Sequence, residues 1–291
     1  MKRRLAFFVM LIFCVLTVCG CSRRAQMQGE IQIKGSDTMV NLGQAWAEAY
    51  QQMHPYTSIS VTGGGSGTGI AALINKNASI AESSRSMKPE ELAAAVKNGL
   101  SPQEFTVALD GVAVIVNKDN PVKKLTIDQL SKIYTGKITN WKQMGGRDEK
   151  IVPLSRDKSS GTHDFFLEHV LRQGNPRGQE EYAADVLMLV SSTAIASEVS
   201  ANKGSIGYVG MGFADKSKHT EVAVAKSAAS PYMEPTESNI LNKTYPIARP
   251  LYFYTPGKPE GDVKGFIDFV LSDEGQRIVK KKEFVPVRSL S

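Results

Sequence analysis

Ser60-Val61-Thr62-Gly63-Gly64-Gly65-Ser66-Gly67-Thr68-Gly69-Ile70 carries five glycines in seven residues, between a run that alternates as a strand does and a run with helical spacing. A backbone stripped of Cβ atoms there turns sharply, and it aims several N–H groups and two hydroxyls at one small space, at the positive end of the following helix. That is the chemistry of an oxyanion cradle. Two further loops repeat the pattern, Gly35-Ser36-Asp37-Thr38 and Ser159-Ser160-Gly161-Thr162, each after an alternating apolar run and each leading into an amphipathic stretch. Strand, donor loop, helix, repeated, predicts an α/β fold. The three loops are expected to converge on one tetrahedral anion.

The start of the chain reads as an address rather than as fold. Lys2-Arg3-Arg4, the apolar run from Leu5 to Val18 and the small residues after it form a secretory signal, residues 1–20, too short in its apolar part to span a bilayer as a helix. Val18-Cys19-Gly20-Cys21 resembles a bacterial lipobox, so Cys21 is expected to become the lipidated first residue, with ordinary signal cleavage nearby as the alternative. Residues 21–29 then serve as lipidated cysteine and tether, with a reach of roughly 25 to 30 Å if extended. Cys14, Cys19 and Cys21 are the chain's three cysteines, so the exported core has none to pair.

Removing 20 residues from 291 leaves 271, enough for two lobes of ordinary size. The formal charge of +6 falls to +3 once Lys2, Arg3 and Arg4 are gone, and Lys280-Lys281-Lys282 is the longest basic run. So small a surplus without a basic stripe argues against nucleic acid.

Along the chain, Ile31 and Ile33 alternate as in a strand, and Met39 to Met53 follow helical spacing until His54-Pro55. Asp37 sits where a helix N-cap would, between two candidate donors. Ser79 to Lys88 reads as a short strand emptying into a polar loop, with Arg85 at its carboxyl end, the edge of an open α/β sheet where ligands sit. Pro89 opens a helix. In Val107 to Asn117, Asp110-Gly111 divides an apolar run, and the glycine is read as a bend between two buried strands at a hinge. A helix from Leu125 to Tyr134 has Thr126 and Gln129 at capping-box spacing. Ser155 to Thr162 supplies an arginine, Arg156, with Ser160, Gly161 and Thr162, beside a helix N-terminus, the most donor-dense point in the chain. His163 is expected in the first turn of that helix, near the mouth of the site. Val263 to Val279 is predicted as one final helix.

Enzymatic alternatives fail on inventory. Gly67-Thr68-Gly69-Ile70-Ala71-Ala72 fits the relaxed dinucleotide fingerprint, but no acidic residue stands near the required distance. Ser155-Arg156-Asp157-Lys158 satisfies S-x-x-K without S-D-N or K-T-G. The four histidines form no H-E-x-x-H, and neither G-x-S-x-G nor a phosphate-loop motif occurs. No metal and no cofactor are expected.

With these residues in hand, the mature chain resembles the phosphate-binding lipoprotein of the bacterial high-affinity phosphate ABC importer. The resemblance is carried by Gly35 to Met39, Gly63 to Gly69, Ser83-Ser84-Arg85, Ile133 to Trp141, Arg156 with Ser160-Gly161-Thr162, Gly204 to Tyr208 and Phe266 to Gln276. It implies a two-lobed periplasmic-binding-protein fold of type II-like form, with a central cleft and two hinge crossings: residues 30–109 plus 250–291 in lobe one, 110–249 in lobe two. It implies phosphate held by Ser36, Asp37, Thr38, Ser66, Gly67, Arg85, Arg156, Ser160, Gly161 and Thr162. In many relatives an aspartate stands where Arg85 does and accepts the phosphate proton; here Asp37 is the nearest substitute, with Asp157 in reserve. The implied protein is a monomer outside the cytoplasm, anchored through Cys21, and a membrane permease is its partner. Another tetrahedral oxyanion, sulfate or molybdate, is the nearer rival, and an extracytoplasmic phosphatase the more distant one.

Overall fold

The computed structural model describes residues 29–290. The expected signal peptide and lipidation site at Cys21 lie outside the described residues, as does the expected tether of residues 21–29 except Gly29, which begins the first strand. No helix among those described is long and apolar enough to cross a membrane.

Three parallel strands open the fold: β1 (Gly29–Gly35), β2 (Thr57–Thr62) and β3 (Ile80–Ser83), with β1 in the middle. Between them run helices α1 (Val40–Met53) and α2 (Ser66–Ile74), one on each face of the sheet. The α1 face buries Leu42, Trp46 and Tyr50 against Ile31, Ile33 and Ile80, while Ile70 and Leu73 of α2 pack on Ala81, Tyr252 and Tyr254. Helix α3 (Pro89–Lys97) follows, its first-turn Glu91 closing a capping arrangement with Lys88.

The chain then passes along β4 (Gln103–Asn117), fifteen residues without a break. Its first part pairs antiparallel with β11 (Ala248–Thr255) up to Gly111, and from Val112 to Val116 it pairs with β8 (Ser205–Gly210) instead. Gly111 thus lies inside one strand rather than between two, at the point where the partner changes. What requires a glycine is packing, since a Cβ there would lie 2.9 Å from Ile240 and 3.1 Å from Pro235. One continuous nine-stranded sheet results, in the order β2-β1-β3-β11-β4-β8-β6-β7, where β6 is Val152–Arg156 and β7 is Leu187–Leu189; β9 (His219–Glu221) also pairs with β4, and β10 (Ala223–Ala225) pairs with Lys124–Thr126 in a separate two-stranded sheet.

Two main cores lie along this sheet. The first joins Ile31, Trp46 and Val107 near the start of the chain to Phe253, Phe266 and Val279 near its end. The second is drawn from Val112 to Ile247, with Trp141, Phe166 and Tyr208 among its largest members, and Val285 reaches into it while bridging Leu109. This is a two-lobed architecture in which β4 and β11 run from one lobe into the other.

In the second lobe, Lys124–Thr126 forms β5 and only then does α4 (Ile127–Tyr134) begin, with Thr126 and Gln129 capping it as their spacing predicts. Helix α5 (Gly161–Phe166) continues into a wider π turn over Leu167–Leu171, and α6 is Ser192–Ala201. The single final helix expected from Val263 to Val279 is two, α7 (Gly261–Leu271) and α8 (Asp273–Lys281), turned at Ser272. Trp46 Nε1 donates to the Gly275 carbonyl across 2.8 Å, and a side chain on Gly275 would collide with the carbonyls of Phe269 and Val270. The break thus seats α8 on α1.

Candidate functional site

The three donor loops do meet, at the carboxyl ends of β1, β2 and β6. Ser36 and Thr38 lie in the turn between β1 and α1, and both are buried. Positive φ at Gly35, Gly64 and Gly65 provides the turns that bring the first two loops together, and Gly65 N–H donates to the Gly35 carbonyl. Ser66 begins α2, with its Oγ accepting from the backbone N–H of Ser84 at 3.0 Å.

From the other lobe comes the loop after β6. Ser160 caps α5, accepting from the N–H groups of Thr162 and His163, so the serine hydroxyl is shared with the helix it starts. The loops touch at several points. Thr38 Oγ1 and Thr162 Oγ1 are 2.7 Å apart, Gly67 N–H donates to the Ser159 carbonyl, and Ser159 Oγ donates to the Gly64 carbonyl. A Cβ on Gly161 would stand 2.8 Å from the Ser84 hydroxyl and closer still to that of Ser66. Only glycine permits so near an approach of the two lobes.

Arg156, at the end of β6, is 1% exposed. Its Nη1 donates to Asp37 Oδ2 at 3.0 Å and to Ser192 Oγ, its Nη2 to the Val190 carbonyl, and its buried Nε has no hydrogen-bond partner. Asp37 Oδ2 also accepts from the Ser192 backbone N–H at 2.7 Å. Asp37 is therefore a carboxylate of the first lobe gripped by an arginine and a helix N-terminus of the second. Asp157, the reserve choice, stands 3.9 Å from Arg156 Nη2 and spends one oxygen on Ser159.

Arg85 has a different setting from the one expected. Four of its N–H bonds go to Glu91, Asp164 and the Ser86 carbonyl, so the guanidinium is committed to carboxylates. The residue beside it, Ser84, presents hydroxyl and N–H to Ser66. His163, expected near the mouth, is buried instead: its Nδ1 lies 2.9 Å from the Arg156 carbonyl, its ring stacks on Tyr182, and burial lowers its pKa. Among the described residues no group of three metal-ligating side chains is arranged to hold a metal ion.

A family model described as a PBP superfamily domain matches residues 22–274. The phosphate-binding protein PstS of Pseudomonas aeruginosa is 34% identical over 278 residues, covering 90% of this chain and 84% of its own, and PstS of Bacillus subtilis is 31% identical over 266 residues. The chain belongs to the PstS family of the PBP superfamily. Among solved PstS-like structures, a phosphate ABC transporter substrate-binding protein from Clostridium perfringens, determined with bound phosphate, matches with a TM-score of 0.79 at 36% identity, over 89% of this chain and all of that one. An ABC-type phosphate transport receptor from Vibrio cholerae matches with a TM-score of 0.69 at 33% identity, over 88% of this chain and 99% of that one.

Sequence reading of this PstS-family chain missed four residues at the junction. Ser84 and Ser192 carried no local signal, since isolated serines at the end of a strand and the start of a helix are commonplace. Asp110 and Arg249 did carry one: each is a charge set among apolar neighbours in its strand, and two opposite charges in two buried strand segments ask to be paired. They face each other across β4 and β11, Arg249 Nε and Nη2 donating to Asp110 Oδ2 at 3.0 and 2.8 Å. Arg249 also donates to the Ser84 carbonyl and to Thr162 Oγ1, so this pair fixes a residue of each lobe at the crossing. Burial lowers the Arg249 pKa, opposed by Asp110.

Proposed function

We propose that this chain is the extracytoplasmic receptor of a bacterial phosphate importer: it binds inorganic phosphate between its lobes and delivers it to the membrane permease of an ABC transporter. The observation that carries this reading is the junction at Thr38 and Thr162, where hydroxyl donors of both lobes meet beside a buried guanidinium whose Nε has no partner. A tetrahedral oxyanion offers acceptors in four directions, and it can use donors from both lobes only when they are closed around it. The names of the relatives, phosphate-binding protein and phosphate transport receptor, support phosphate as that anion. A receptor of this kind releases its ligand unchanged; it is not an enzyme.

We assign the anion to Ser36, Thr38, Ser66, Gly67 and Ser84 from one lobe and Arg156, Ser160, Gly161 and Thr162 from the other. Asp37 is the proton acceptor, and it also aligns Arg156. Lobe one comprises 30–109 plus 250–291 and lobe two 110–249, with the C-terminal segment at Val285 reaching across. The protein works as a monomer on the outer face of the membrane, tethered through lipid on Cys21. Metabolic fatty-acid labelling tests the anchor: Cys21→Ala is expected to abolish labelling and move the protein to the soluble fraction. Persistent labelling would place the anchor elsewhere.

Titration calorimetry of ligand-stripped protein with phosphate, sulfate and molybdate tests the function. One-to-one binding of phosphate, with sulfate weaker by orders of magnitude, is the expected result; sulfate carries no proton for a carboxylate to accept. Tighter binding of sulfate or molybdate would reassign the receptor.

A further inference from the structure

Arg85, which sequence reading placed among the ligand donors, is held in the first lobe by a bidentate fork, Nη1 and Nη2 donating to Glu91 Oε2 and Oε1 at 2.8 and 2.7 Å. Glu91 is itself fixed to the Lys88 N–H, and Arg85 Nη1 is fixed to the Ser86 carbonyl. The fork leaves Nε pointing away from Glu91, and it donates to Asp164 Oδ2 at 2.9 Å. Lys88 Nζ reaches the same oxygen at 2.8 Å. Asp164 belongs to α5, whose next residues, Phe165 and Phe166, are set in the core of the second lobe. One carboxylate of the second lobe thus takes two cations of the first.

The side chains involved are mostly buried, 8% exposed for Arg85 and 13% for Asp164, so water screens this pair less than it would a surface pair. The Arg85 fork is already assembled in one lobe, so engaging Asp164 orders little that is not ordered beforehand. Its polarity also opposes the other interlobe ion pair, in which Asp37 of the first lobe meets Arg156 of the second. The two differ in one respect. Arg156 belongs to the donor set and answers to the ligand, whereas Arg85 and Asp164 spend their charges on each other and on Glu91 and Lys88.

We propose that Asp164, gripped by Arg85 and Lys88, is an affinity-setting latch: it stabilises the closed arrangement of the lobes without touching the anion, and so governs how slowly phosphate leaves. This rests on the phosphate-receptor reading for its ligand but not for its lobe closure. A contact made only in the closed state shifts the closure equilibrium by its own free energy, and ligand affinity follows the closed fraction. The on-rate to the open form does not depend on it.

Two measurements on the mature protein test this, with Asp164→Asn and Lys88→Met as the variants, since both replacements are near in size and leave the Arg85–Glu91 fork in place. Stopped-flow release is expected to show phosphate leaving Asp164→Asn about three- to tenfold faster, with association not slowed and Lys88→Met intermediate. Small-angle scattering of the ligand-free proteins is expected to show Asp164→Asn more open than the parent, which a residue serving fold stability alone would not produce. An unchanged release rate and an unchanged ligand-free radius of gyration in a folded Asp164→Asn variant would overturn the latch. If the parent binds no phosphate, the ligand assignment falls, and the ligand-free scattering still decides the latch: greater opening of the variant supports it and none refutes it.

Discussion

Arg156 is a buried cation with a partly buried carboxylate partner and one donor to spare. Burying a guanidinium is costly unless its hydrogens are met, so an unpartnered Nε beside converging hydroxyls is the signature of a group kept for a ligand. Removing it in Arg156→Ala is expected to weaken phosphate binding by roughly ten- to a hundredfold, the equivalent of about 1.5 to 3 kcal/mol for a charge-assisted hydrogen bond. Arg156→Lys should recover only part, because an ammonium cannot hold Asp37 and the anion in a fixed fork. Calorimetry on the purified variants decides it, and parent-like affinity of the alanine variant would move the anion away from β6. Glu82 shows the opposite case, a buried carboxyl with no partner on either oxygen, lying against Gly43, where a Cβ would collide with it. Burial pushes its pKa from 4.5 up to about 8. The folded state then keeps a proton that the unfolded chain has already released, so unfolding releases protons and rising pH favours it. Stability is expected to fall between about pH 4.5 and about pH 8, by up to ~1.4 kcal/mol per pH unit from this group, and to level off above. Urea unfolding across that range should show the slope in the parent and lose it in Glu82→Gln; equal slopes in the two would mean the carboxyl is ionised in the fold.

Each donor loop is a strand end, a turn and a helix start, and what the turn needs differs from loop to loop. The loop after β2 needs positive φ at Gly64 and Gly65, whereas Gly161 has an ordinary helical start and needs only empty space opposite Ser66 and Ser84. Gly161→Ala therefore leaves α5 intact and acts as a wedge between lobes. The expected result is a near-parental melting temperature with phosphate binding weakened at least about fivefold, from an overpacking cost on the order of 1 to 3 kcal/mol. A large drop in melting temperature without loss of affinity would contradict it. These loops were legible in the sequence because glycine, serine and threonine between a strand pattern and a helix pattern have few other uses. So was the cap at Thr126. Three features were not. Gly111 was read as lying between two strands, whereas it lies within one, opposite Ile240 and Pro235, a contact that local sequence does not contain. The turn at Ser272 interrupts a helical spacing that continues on both sides of it; Ser272 caps α8, its Oγ accepting from the Gly275 N–H, with Asp273 and Glu274 in the first turn, a start signal that the apolar spacing masked. Arg85 was placed correctly at the edge of the sheet, but which way a guanidinium turns is decided by Glu91 and Asp164, the second of them 79 residues away.

At the scale of the molecule, one sheet serves two cores, and the two strands that pass between them carry Asp110 and Arg249 face to face at the point of passage. That pair anchors Ser84 of the first lobe and Thr162 of the second, so the floor of the cleft is fixed while the Asp37–Arg156 and Arg85–Asp164 contacts flank the place where the lobes meet. Closure in such a frame brings all the hydroxyls together at once, which is why half a site on either lobe would bind phosphate weakly. Phosphate binding in this frame requires donors from both lobes to share one anion, and a crystal structure of the phosphate-loaded protein tests that most directly. It should place phosphate within hydrogen-bond distance of Arg156 Nε and of Thr38 and Thr162 together. Phosphate bound through residues of a single lobe, or at a distance from Arg156, would contradict it.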